Sequence, residues 1–573
     1  MATHFPGEIP SFYDSEGRQF RVLRERCGGS VAITVMDYEG FGFLDSAGGL
    51  DVKGCGSRLR VHASARDSAG GRFSARAPTP ASCVGGRIVA PIVDAGAARL
   101  AKGPAAPHPP PHGMSGITFT NLTRAAEIGA NCYSLEAAGK RLILDSGMHP
   151  RLDGLEGLPL LDRLPADSAD AILLSHAHQD HVGSLPVLMR QQPRAPVFMT
   201  EGTRLLSGQM LHNSANVMQF KSDDGLMPRP HFTHREVDLC EKRWRTAPLH
   251  TRFDLTGERL RPDEPADVSV EFFDAGHILG SVSTLIRTEG RTILYTGDVQ
   301  FGDQTVMQAA RFPEEPLDVL IMETTNGERA MPEGFTRAAE ELRFAKAIQA
   351  AFDRGGAVFI PVFALGKTQE LLAMFYEFRR KGLLPLCPIY IGGLGTKITE
   401  IYDKLAHQVP RQRPDLDLLH AVAPFTMAGK AADATPVKPR RIYALSSGMM
   451  TEKTISNSYA RYFISDPNQT MLFVGYADPE SPAGRLRATA PGEMIQLDPA
   501  RPAQPLRCHT DVFNFSAHAT RESIRAYVNK VRPKKVLLVH GDTAALEWFR
   551  ATLQADLPAS EFVIPAPGEP VVL

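Results

Sequence analysis

The sequence predicts an α/β protein whose sheets share a polar site at one edge. From Ile117 onward, short apolar runs alternate with longer segments of helical periodicity, such as 332–352 and 367–379, and this alternation is typical of α/β architecture. Several apolar runs lead directly into polar side chains, which are Asp145, Ser175 with His176, Asp298, Glu323, Ser446 with Ser447, and His540. Because strands of open α/β sheets deliver site residues at their carboxyl ends, we expect these side chains to lie close together.

The length and composition describe a globular chain without an overall charge bias. At roughly 100 to 200 residues per domain, 573 residues permit about three or four domains, and a hydrophobic content of 43% is enough to form their cores. Lys and Arg number 63 against 64 Asp and Glu, so the net charge provides no overall attraction for a polyanion. Any nucleic-acid surface must therefore be local.

Cysteine usage and the lack of apolar spans predict a soluble protein of a reducing compartment. The seven cysteines are scattered without a C-x-x-C pair, so we expect neither a disulfide scaffold nor a thiolate zinc site. The start of the chain lacks a charged segment followed by an apolar one, and no run of about 18 apolar residues occurs. We therefore expect a cytoplasmic protein with no membrane partner.

The first 113 residues differ in composition from the rest of the chain. They are rich in Gly, Ala, Arg, Pro and Ser, show little sustained apolar periodicity, and end in a Pro-rich stretch at 102–113 with the composition of a linker. We expect 1–113 to be a poorly ordered, low-information extension that is dispensable for the chemistry, because it holds no cluster of metal ligands. An alternative is that translation begins at Met114, where strand-like patterning starts.

A dense group of metal ligands follows the apolar run that ends at Leu174. Its sequence is His176-Ala177-His178-Gln179-Asp180-His181. Neutral imidazole and carboxylate are ligands that zinc accepts, and a tight turn can divide them between two ions. His176 and His178 can therefore face one metal while Asp180 and His181 face a second.

Further ligands for two metals follow later in the chain. His277 lies between glycines that allow close backbone approach. Asp298 follows an apolar run and could bridge two ions, and His518 precedes a helical stretch. Taken singly, each residue would more often be a structural histidine or an aspartate cap. Taken with the first group, they complete a ligand set for a two-metal site.

These residues resemble the motifs of the metallo-β-lactamase fold. Asp145 is similar to its first motif, 176–181 to its second, His277 to its third and Asp298 to its fourth. The closer likeness is to the β-CASP ribonucleases, a branch that includes the nuclease subunit of the cleavage and polyadenylation specificity factor and its prokaryotic relatives. The residues that resemble motifs A and C of this branch are Glu323 and His518.

The resemblance implies an αββα metallo-β-lactamase sandwich with an inserted β-CASP α/β domain. The first part of the sandwich is expected at 114–325, the β-CASP domain at 326–488, and a return segment that completes the sandwich at 489–573. Apolar runs within the insertion suit a second, small parallel sheet. They lie at 357–361, 388–391, 442–445 and 471–474. The active site would lie in a cleft between the two domains, which admits a single strand and excludes a duplex.

The same resemblance implies two zinc ions and assigns their ligands. The ligands of the first zinc would be His176, His178 and His277, those of the second Asp180, His181 and His518, and the bridging ligand Asp298. Asp145 would orient a ligand histidine rather than bind metal itself. The ions would activate water for attack on phosphorus, with Asp180 among the catalytic residues.

One departure from the family pattern concerns the supply of a proton to the leaving group. The motif B histidine is expected within 481–486, where Arg485 stands. Because a guanidinium stays charged, Arg485 is expected to clamp a phosphate, and the proton would come from Glu323 or from water. Lys367 is expected to be a solvated charge at a helix start. Hydrogen bonds to substrate phosphates are expected from Ser446, Ser447 and His540.

The predicted function is hydrolysis of phosphodiester bonds in single-stranded RNA, with internal cutting and digestion from an end both left open. RNA is favoured over DNA because members of the branch that act on DNA typically lack the motif C histidine, for which His518 is the candidate. One alternative is a DNA-directed nuclease of the same family, and another is a catalytically inactive scaffold that binds RNA or protein partners. Assembly into a homodimer or a processing complex is also left open.

Overall fold

The structure, a computed structural model, describes residues 116–427 and 435–573 together with five backbone strands near the amino terminus. The chain divides into two units, Met1–His108 and Pro109–Leu573. The strands of the first unit form one antiparallel sheet in chain order. They are β1 (Ser11–Tyr13), β2 (Gln19–Cys27), β3 (Ser30–Met36), β4 (Phe41–Leu44) and β5 (Leu50–Val52). The rest of the predicted extension at 1–113, including its linker, lies outside the described residues.

The first part of the second unit contains the strands of both sandwich sheets and short helices between them. Its strands are β6 (Thr118–Asn121), β7 (Tyr133–Ala137), β8 (Lys140–Leu144), β9 (Ala171–Leu173), β10 (Val197–Met199), β11 (Trp244–Thr246), β12 (Phe253–Asp254), β13 (Val268–Asp274), β14 (Val282–Thr288), β15 (Arg291–Tyr295) and β16 (Val319–Glu323). Its helices are α1 (Gln179–Val182), α2 (Leu185–Gln191), α3 (Glu201–Asp223) and α4 (His234–Glu241).

The central part alternates helices and strands. Its helices are α5 (Arg337–Asp353), α6 (Lys367–Arg380), α7 (Gly393–Lys404), α8 (Leu418–Val422), α9 (Ile455–Ile464) and α10 (Pro482–Ala488). Its strands are β17 (Val358–Pro361), β18 (Ile389–Gly392), β19 (Phe425–Met427), β20 (Ile442–Leu445), β21 (Thr470–Phe473), β22 (Met494–Ile495), β23 (Gln504–Pro505) and β24 (His509–Val512). The last part adds α11 (Arg521–Val531), β25 (Lys535–Val539), α12 (Thr543–Asp556), β26 (Glu561–Val563) and β27 (Pro570–Val572).

Several helices start where the sequence places a capping threonine. Thr200 before α3, Thr336 before α5 and Thr520 before α11 each accept a hydrogen bond from the backbone N–H three residues further on. Such a cap satisfies one of the N–H groups that a first helical turn leaves without a partner. The helix starts are therefore determined locally.

Two seven-stranded sheets form the sandwich. Their strand orders are β11-β10-β9-β8-β7-β6-β27 and β12-β13-β14-β15-β16-β25-β26. The last part of the chain completes both sheets, because β27 pairs antiparallel with β6 while β25 lies parallel to β16 and β26. This pairing places the end of β25 beside the end of β16.

The apolar core lies between the sheets and on their outer faces. One buried cluster contains Phe119 and Leu142 of the first sheet together with Val270, Ile286 and Ile321 of the second. A second cluster packs helices α2 to α4 on the outside of the first sheet, and a third packs α11 and α12 on the outside of the other. The order of layers is therefore helix, sheet, sheet, helix, and the predicted αββα sandwich is confirmed.

The predicted insertion forms a third sheet. Its order is β19-β18-β20-β17-β21-β24, and all of its strand pairs are parallel. Strands β17, β20 and β21 are buried along their whole length, as a parallel sheet with helices on both faces requires. The edge strand β24 lies within the predicted return segment at 489–573. Because β24 pairs with β21, the inserted sheet includes residues up to Val512. No helix in the described ranges is long and apolar enough to span a membrane.

Candidate metal centre

The carboxyl ends of strands from both sandwich sheets meet in one crevice, which holds a group of imidazoles and carboxylates. These side chains are His176 and His178 after β9, Asp180 and His181 in α1, His277 between β13 and β14, Asp298 after β15, and His540 after β25. All are buried except His178 and Asp180, which are partly exposed. The ligand atoms form two clusters that could each hold an ion.

The first cluster brings together three histidines and one aspartate. Nδ1 of His178 lies 3.1 Å from Nε2 of His176 and 3.0 Å from Nε2 of His277. Oδ2 of Asp298 lies 3.4 Å from Nε2 of His176 and 3.5 Å from Nε2 of His277. The structure therefore brings the three histidines predicted for the first zinc together with the predicted bridging carboxylate.

The second cluster lies on the other side of Asp298. Oδ1 of Asp298 lies 3.3 Å from Nε2 of His181 and 3.5 Å from Nε2 of His540. Oδ2 of Asp180 lies 3.7 Å from Nε2 of His181 and 3.3 Å from Nε2 of His540. One carboxylate thus turns one oxygen toward each cluster, which is the arrangement of a bridging ligand.

Asp145 holds two of these imidazoles in one orientation. Nδ1 of His181 donates to the Asp145 carboxylate at 2.7 Å. The hydroxyl of Ser175 also donates to this carboxylate, at 2.7 Å, so it accepts the hydrogen bond from Nδ1 of His176 at 3.0 Å. Because Nδ1 of each ring makes this hydrogen bond, Nε2 is the nitrogen that each ring directs into the crevice. The contacts of Asp145 are those of an orienting residue.

His277 is held in the same tautomer by the backbone. Its Nδ1 lies 2.8 Å from the carbonyl oxygen of Ala517, which can only accept a hydrogen bond, so Nε2 is again a lone pair. Burial lowers the pKa of His176 and His277 well below the ordinary value and that of His178 to about 4. These rings are therefore neutral, the form that binds metal.

The donor set fits metal ions. Lone pairs of the neutral imidazoles of His176 and His277 converge on the crevice, and they would repel one another without a cation between them. Burial lowers the pKa of His181, but the carboxylates of Asp298, Asp180 and Asp145 outweigh burial and raise it, so a metal ion would take the place of the proton on its Nε2. Oδ1 of Asp298 is buried and accepts no hydrogen bond, which is costly for a carboxylate unless it is a ligand. Imidazole nitrogens and carboxylate oxygens are the ligands that zinc takes.

His518 and His540 exchange the places that the sequence predicted for them. His540, expected to bind a substrate phosphate, lies in the second cluster. His518, expected in that cluster, instead turns Nδ1 to the carboxylate of Glu323, at 3.1 and 3.2 Å, while its Nε2 lies 3.9 Å from Oδ2 of Asp298. The physical reason is the register of β25, which pairs Val539 with Glu323 and so carries His540 into the crevice.

Glu323 changes the acidity of His518. Burial lowers the pKa of this histidine, but the facing Glu323 carboxylate and Asp298 outweigh the effect and raise it to about 9. The ligand atoms of these three residues also lie close enough to contact one ion. Because Nδ1 of His518 is hydrogen-bonded to Glu323, only its Nε2 faces the crevice.

A left-handed backbone conformation distinguishes His540, and the sequence pattern did not reveal it. Its φ of 50° and the φ of 60° at Asp145 are left-handed, a conformation that is uncommon for residues other than glycine and is enriched at functional sites. The sequence signals for His540 were its position after an apolar run and the similarity of 538–541 to the β-CASP family. The first signal is shared by Ser446, which lies at the end of another sheet.

Arg485 does not supply the predicted phosphate clamp at the metal centre. Its guanidinium donates to the carbonyl oxygens of Glu480 at 2.8 Å and Gln496 at 3.4 Å, and these are its described side-chain hydrogen bonds. The side chain lies on the exposed face of α10. Among the described residues, the side chain that contacts the Glu323 carboxylate is His518 and not Arg485.

Lys367 and the two serines lie at the carboxyl edge of the inserted sheet. Ser446 and Ser447 follow β20 and are partly exposed. Lys367, expected to be solvated, is buried at the start of α6, where its ammonium donates to the carbonyl oxygen of Phe515. Burial lowers the pKa of Lys367 to about 8. The expectation of a solvated charge was therefore wrong.

Family models match three consecutive parts of the chain. The metallo-β-lactamase superfamily model matches residues 126–343, the Beta-Casp domain model residues 368–486, and the model of the Zn-dependent metallo-hydrolase RNA specificity domain residues 504–565. The third match includes both His518 and His540. The three models follow the order of the parts that the structure shows.

Curated proteins of similar sequence are similar over most of the chain. Cleavage and polyadenylation specificity factor 73 of Drosophila melanogaster is 28% identical over 453 residues, which are 76% of this chain and 62% of the relative. Cleavage and polyadenylation specificity factor subunit 3 of Dictyostelium discoideum is 27% identical over 80% of this chain and 57% of the relative. Endoribonuclease ysh1 of Schizosaccharomyces pombe is 27% identical over 76% of this chain and 56% of the relative. The aligned part therefore spans about 56 to 62% of these relatives.

Proposed function

We infer that this chain, which belongs to the β-CASP branch of the metallo-β-lactamase superfamily, is a two-zinc hydrolase that cuts phosphodiester bonds in single-stranded RNA. The observation that carries the inference is the bridging geometry of Asp298. One oxygen lies 3.4 Å from His176 and the other 3.3 Å from His181, so a single carboxylate serves two clusters. A pair of adjacent divalent ions is a recurrent device for displacement at phosphorus.

RNA is the substrate that the comparisons favour. The matched domain at 504–565 is described by its RNA specificity, and it contains His518 and His540, which both face the crevice. The names of two similar proteins refer to polyadenylation and that of a third to endoribonuclease activity. We therefore propose internal cutting of RNA as the reaction.

The residues proposed to hold the first zinc are His176, His178, His277 and Asp298, and those for the second are Asp180, His181, His540 and Asp298. Bound there, the ions would supply a water activated at neutral pH and would neutralise charge on the phosphoryl oxygens. Asp145 and the Ala517 carbonyl keep the imidazoles in the binding tautomer. The protein thereby fixes the direction of His176, His181 and His277 before an ion arrives.

His518 is proposed as the proton donor to the leaving oxygen. Its Nδ1 is held by Glu323, and its Nε2 faces the bridging carboxylate at 3.9 Å. A proton on Nε2 therefore lies on the side where the scissile phosphate must sit, and Glu323 stabilises the charged ring. Glu323 then acts as an orienting carboxylate instead of the acid that the sequence suggested.

The test is cleavage of labelled polymers by the purified full chain. Single-stranded RNA, the matching DNA and a duplex would each be labelled at the 5′ or 3′ end, bound zinc would be counted, and His178→Ala would serve as the control. We expect metal-dependent internal cutting of single-stranded RNA that the control loses. Two bound zinc ions without cleavage of RNA would indicate a scaffold, and preferential cutting of DNA would indicate a DNA nuclease. A cytoplasmic location and assembly into a homodimer or a processing complex remain predictions.

A further inference from the structure

An exposed tyrosine stands at the carboxyl end of the inserted sheet. Tyr476 follows β21, and 45% of its surface is exposed, whereas the preceding Phe473 and Val474 are buried. The guanidinium of Arg329 lies over the ring, 5.3 Å from its centroid. Exposed aromatic faces beside arginines are platforms on which the bases of single strands stack.

Two arginines near this ring form no ion pair among the described residues. Arg487 donates to the carbonyl oxygen of Gly475 at 3.4 Å; burial, and then the neighbouring Arg329, lower its pKa. Within 116–427 and 435–573, neither arginine forms an ion pair with a carboxylate, whereas the nearby Arg151 pairs with Asp478 at 2.8 Å. Adjacent positive charges without a partner repel each other, and a phosphate between them would relieve the repulsion.

The ring and the arginines lie where two segments of the metal centre meet the insertion. Arg329 belongs to the segment that leaves β16, in which Thr325 contacts Nδ1 of His540 at 2.9 Å. On the other side, Tyr476 and Lys367 line one recess, and Lys367 donates to Phe515, three residues before His518. A strand held at Tyr476 is therefore next to both histidine-bearing segments.

The start of α6 also packs closely against the metal centre. Gly366 has a φ of 79°, and a Cβ there would meet the side chain of Ile278 at 2.7 Å. Because Ile278 follows the ligand His277, this close approach brings the insertion directly beside the first cluster. The start of α6 therefore contacts Ile278 through Gly366 and lines the recess next to Tyr476 through Lys367.

From these observations we propose that Tyr476, Arg329 and Arg487 form a nucleotide subsite that binds one unpaired nucleotide adjacent to the cleaved bond. The base stacks on Tyr476, and the phosphate lies between the two arginines. The inference rests on the proposed function and deepens it, because stacking on a side chain requires a base that is not paired in a duplex. The subsite would therefore select single strands without reading a particular base.

The first test measures binding of fluorescent single-stranded RNA by anisotropy, in a His178→Ala background so that the RNA stays intact. Tyr476→Leu is expected to weaken binding about tenfold, and Tyr476→Phe to stay within about twofold, because the ring is what stacks. Arg329→Gln and Arg487→Gln should each weaken binding and reduce the slope of log affinity against log salt by about 0.7, the contribution of one phosphate contact to a single strand. Matched controls are Tyr462→Leu, an exposed tyrosine that is also covered by an arginine, and Arg235→Gln on the exposed face of α4.

A second measurement separates stacking from damage to the fold. RNAs in which one nucleotide at a time is abasic would be bound by Tyr476 and by Tyr476→Leu proteins of equal melting temperature. One abasic position should cost the tyrosine protein about tenfold in affinity and the leucine variant nothing further. If no position depends on Tyr476, or if all variants bind as their controls do, the subsite is wrong while RNA cleavage by the unmodified chain can still stand. A chain that neither binds nor cuts RNA would instead overturn the proposed function and the subsite with it.

Discussion

The carboxyl ends of two different sets of strands meet at the cleft, and they carry different kinds of side chain. Beyond the sandwich strands, His176, His181 and Asp298 are almost completely buried, and each imidazole has a hydrogen bond on the nitrogen that faces away from the crevice. Beyond β21 of the inserted sheet, Tyr476 is 45% exposed, and its ring is covered by Arg329, which forms no ion pair within 116–427 and 435–573. The first set is held rigidly before any ligand arrives, whereas the second can adapt to one.

This difference corresponds to the two tasks of the proposed nuclease. Ligands for metal ions must be placed within a few tenths of an ångström, so burial and a hydrogen bond on the far side of each ring are required. A polymer must be held and released, so exposed rings and unpaired charges suffice. We therefore expect substitutions at the sandwich edge to abolish the reaction and those at the inserted edge to weaken binding.

The largest effect is expected for Asp298→Asn. An amide oxygen cannot bridge two cations as a carboxylate does, so both clusters lose their shared ligand, and RNA cleavage should fall on the order of 10³-fold or more. Zinc counting by atomic absorption should show a loss of bound metal beside the lost activity. Retention of two zinc ions with full activity would contradict the bridging role.

The next effect is expected for His518→Ala. Removal of a proton donor typically costs about 10² to 10⁴ in rate, and because His518 contacts Glu323 more closely than any ligand of the second cluster, the variant should keep its zinc. Comparison with His540→Ala tests the exchange of roles directly, since that variant should lose zinc along with activity. The assignment fails if His518→Ala loses an equivalent of zinc and His540→Ala keeps both.

A smaller effect is expected for Asp145→Asn. The amide can still accept a hydrogen bond but loses the charge that holds Ser175 and His181, so zinc affinity should fall about 10- to 100-fold. Titration with a zinc chelator measures this change. At saturating zinc, cleavage should recover most of the way, which distinguishes an orienting residue from a ligand.

The smallest effect is expected at Lys367 and depends on pH. Because burial lowers the pKa of Lys367 to about 8, its ammonium is charged at pH 7 and loses the proton as the pH rises through 8. Because Lys367 lines the recess next to Tyr476, its positive charge lies near the proposed subsite. Lys367→Met should therefore bind single-stranded RNA roughly two- to fivefold more weakly than the unmodified chain at pH 7 and equally at pH 9. Anisotropy titrations at both pH values provide the check, and a difference that persists at pH 9 would show that the lysine acts through packing.

Much of the fold and part of the site could be predicted from local sequence. Apolar periodicity predicted the alternation of strands and helices, and the resemblance to the metallo-β-lactamase family implied the sandwich and the inserted sheet. The cluster at 176–181 was predictable because its four candidate ligands lie within six residues of the chain. His277 and Asp298 were found because each lies in a short motif at the end of an apolar run. The structure brings all of these residues into one crevice.

Only the tertiary structure decided where residues distant in sequence from 176–181 lie. His518 and His540 both lie near the second sheet, and the sequence pattern did not show which ring lies beside Asp180 and His181, because the parallel register of β25 on β16 determines this. Three other features also depend on how the chain folds. They are the burial of Lys367, the hydrogen bonds that hold Arg485 on α10, and the contact of Arg329 with Tyr476. Residue type and spacing determine which atoms can bind a metal, but only packing determines which of them converge, because convergence depends on distances between strands that the order of residues does not contain.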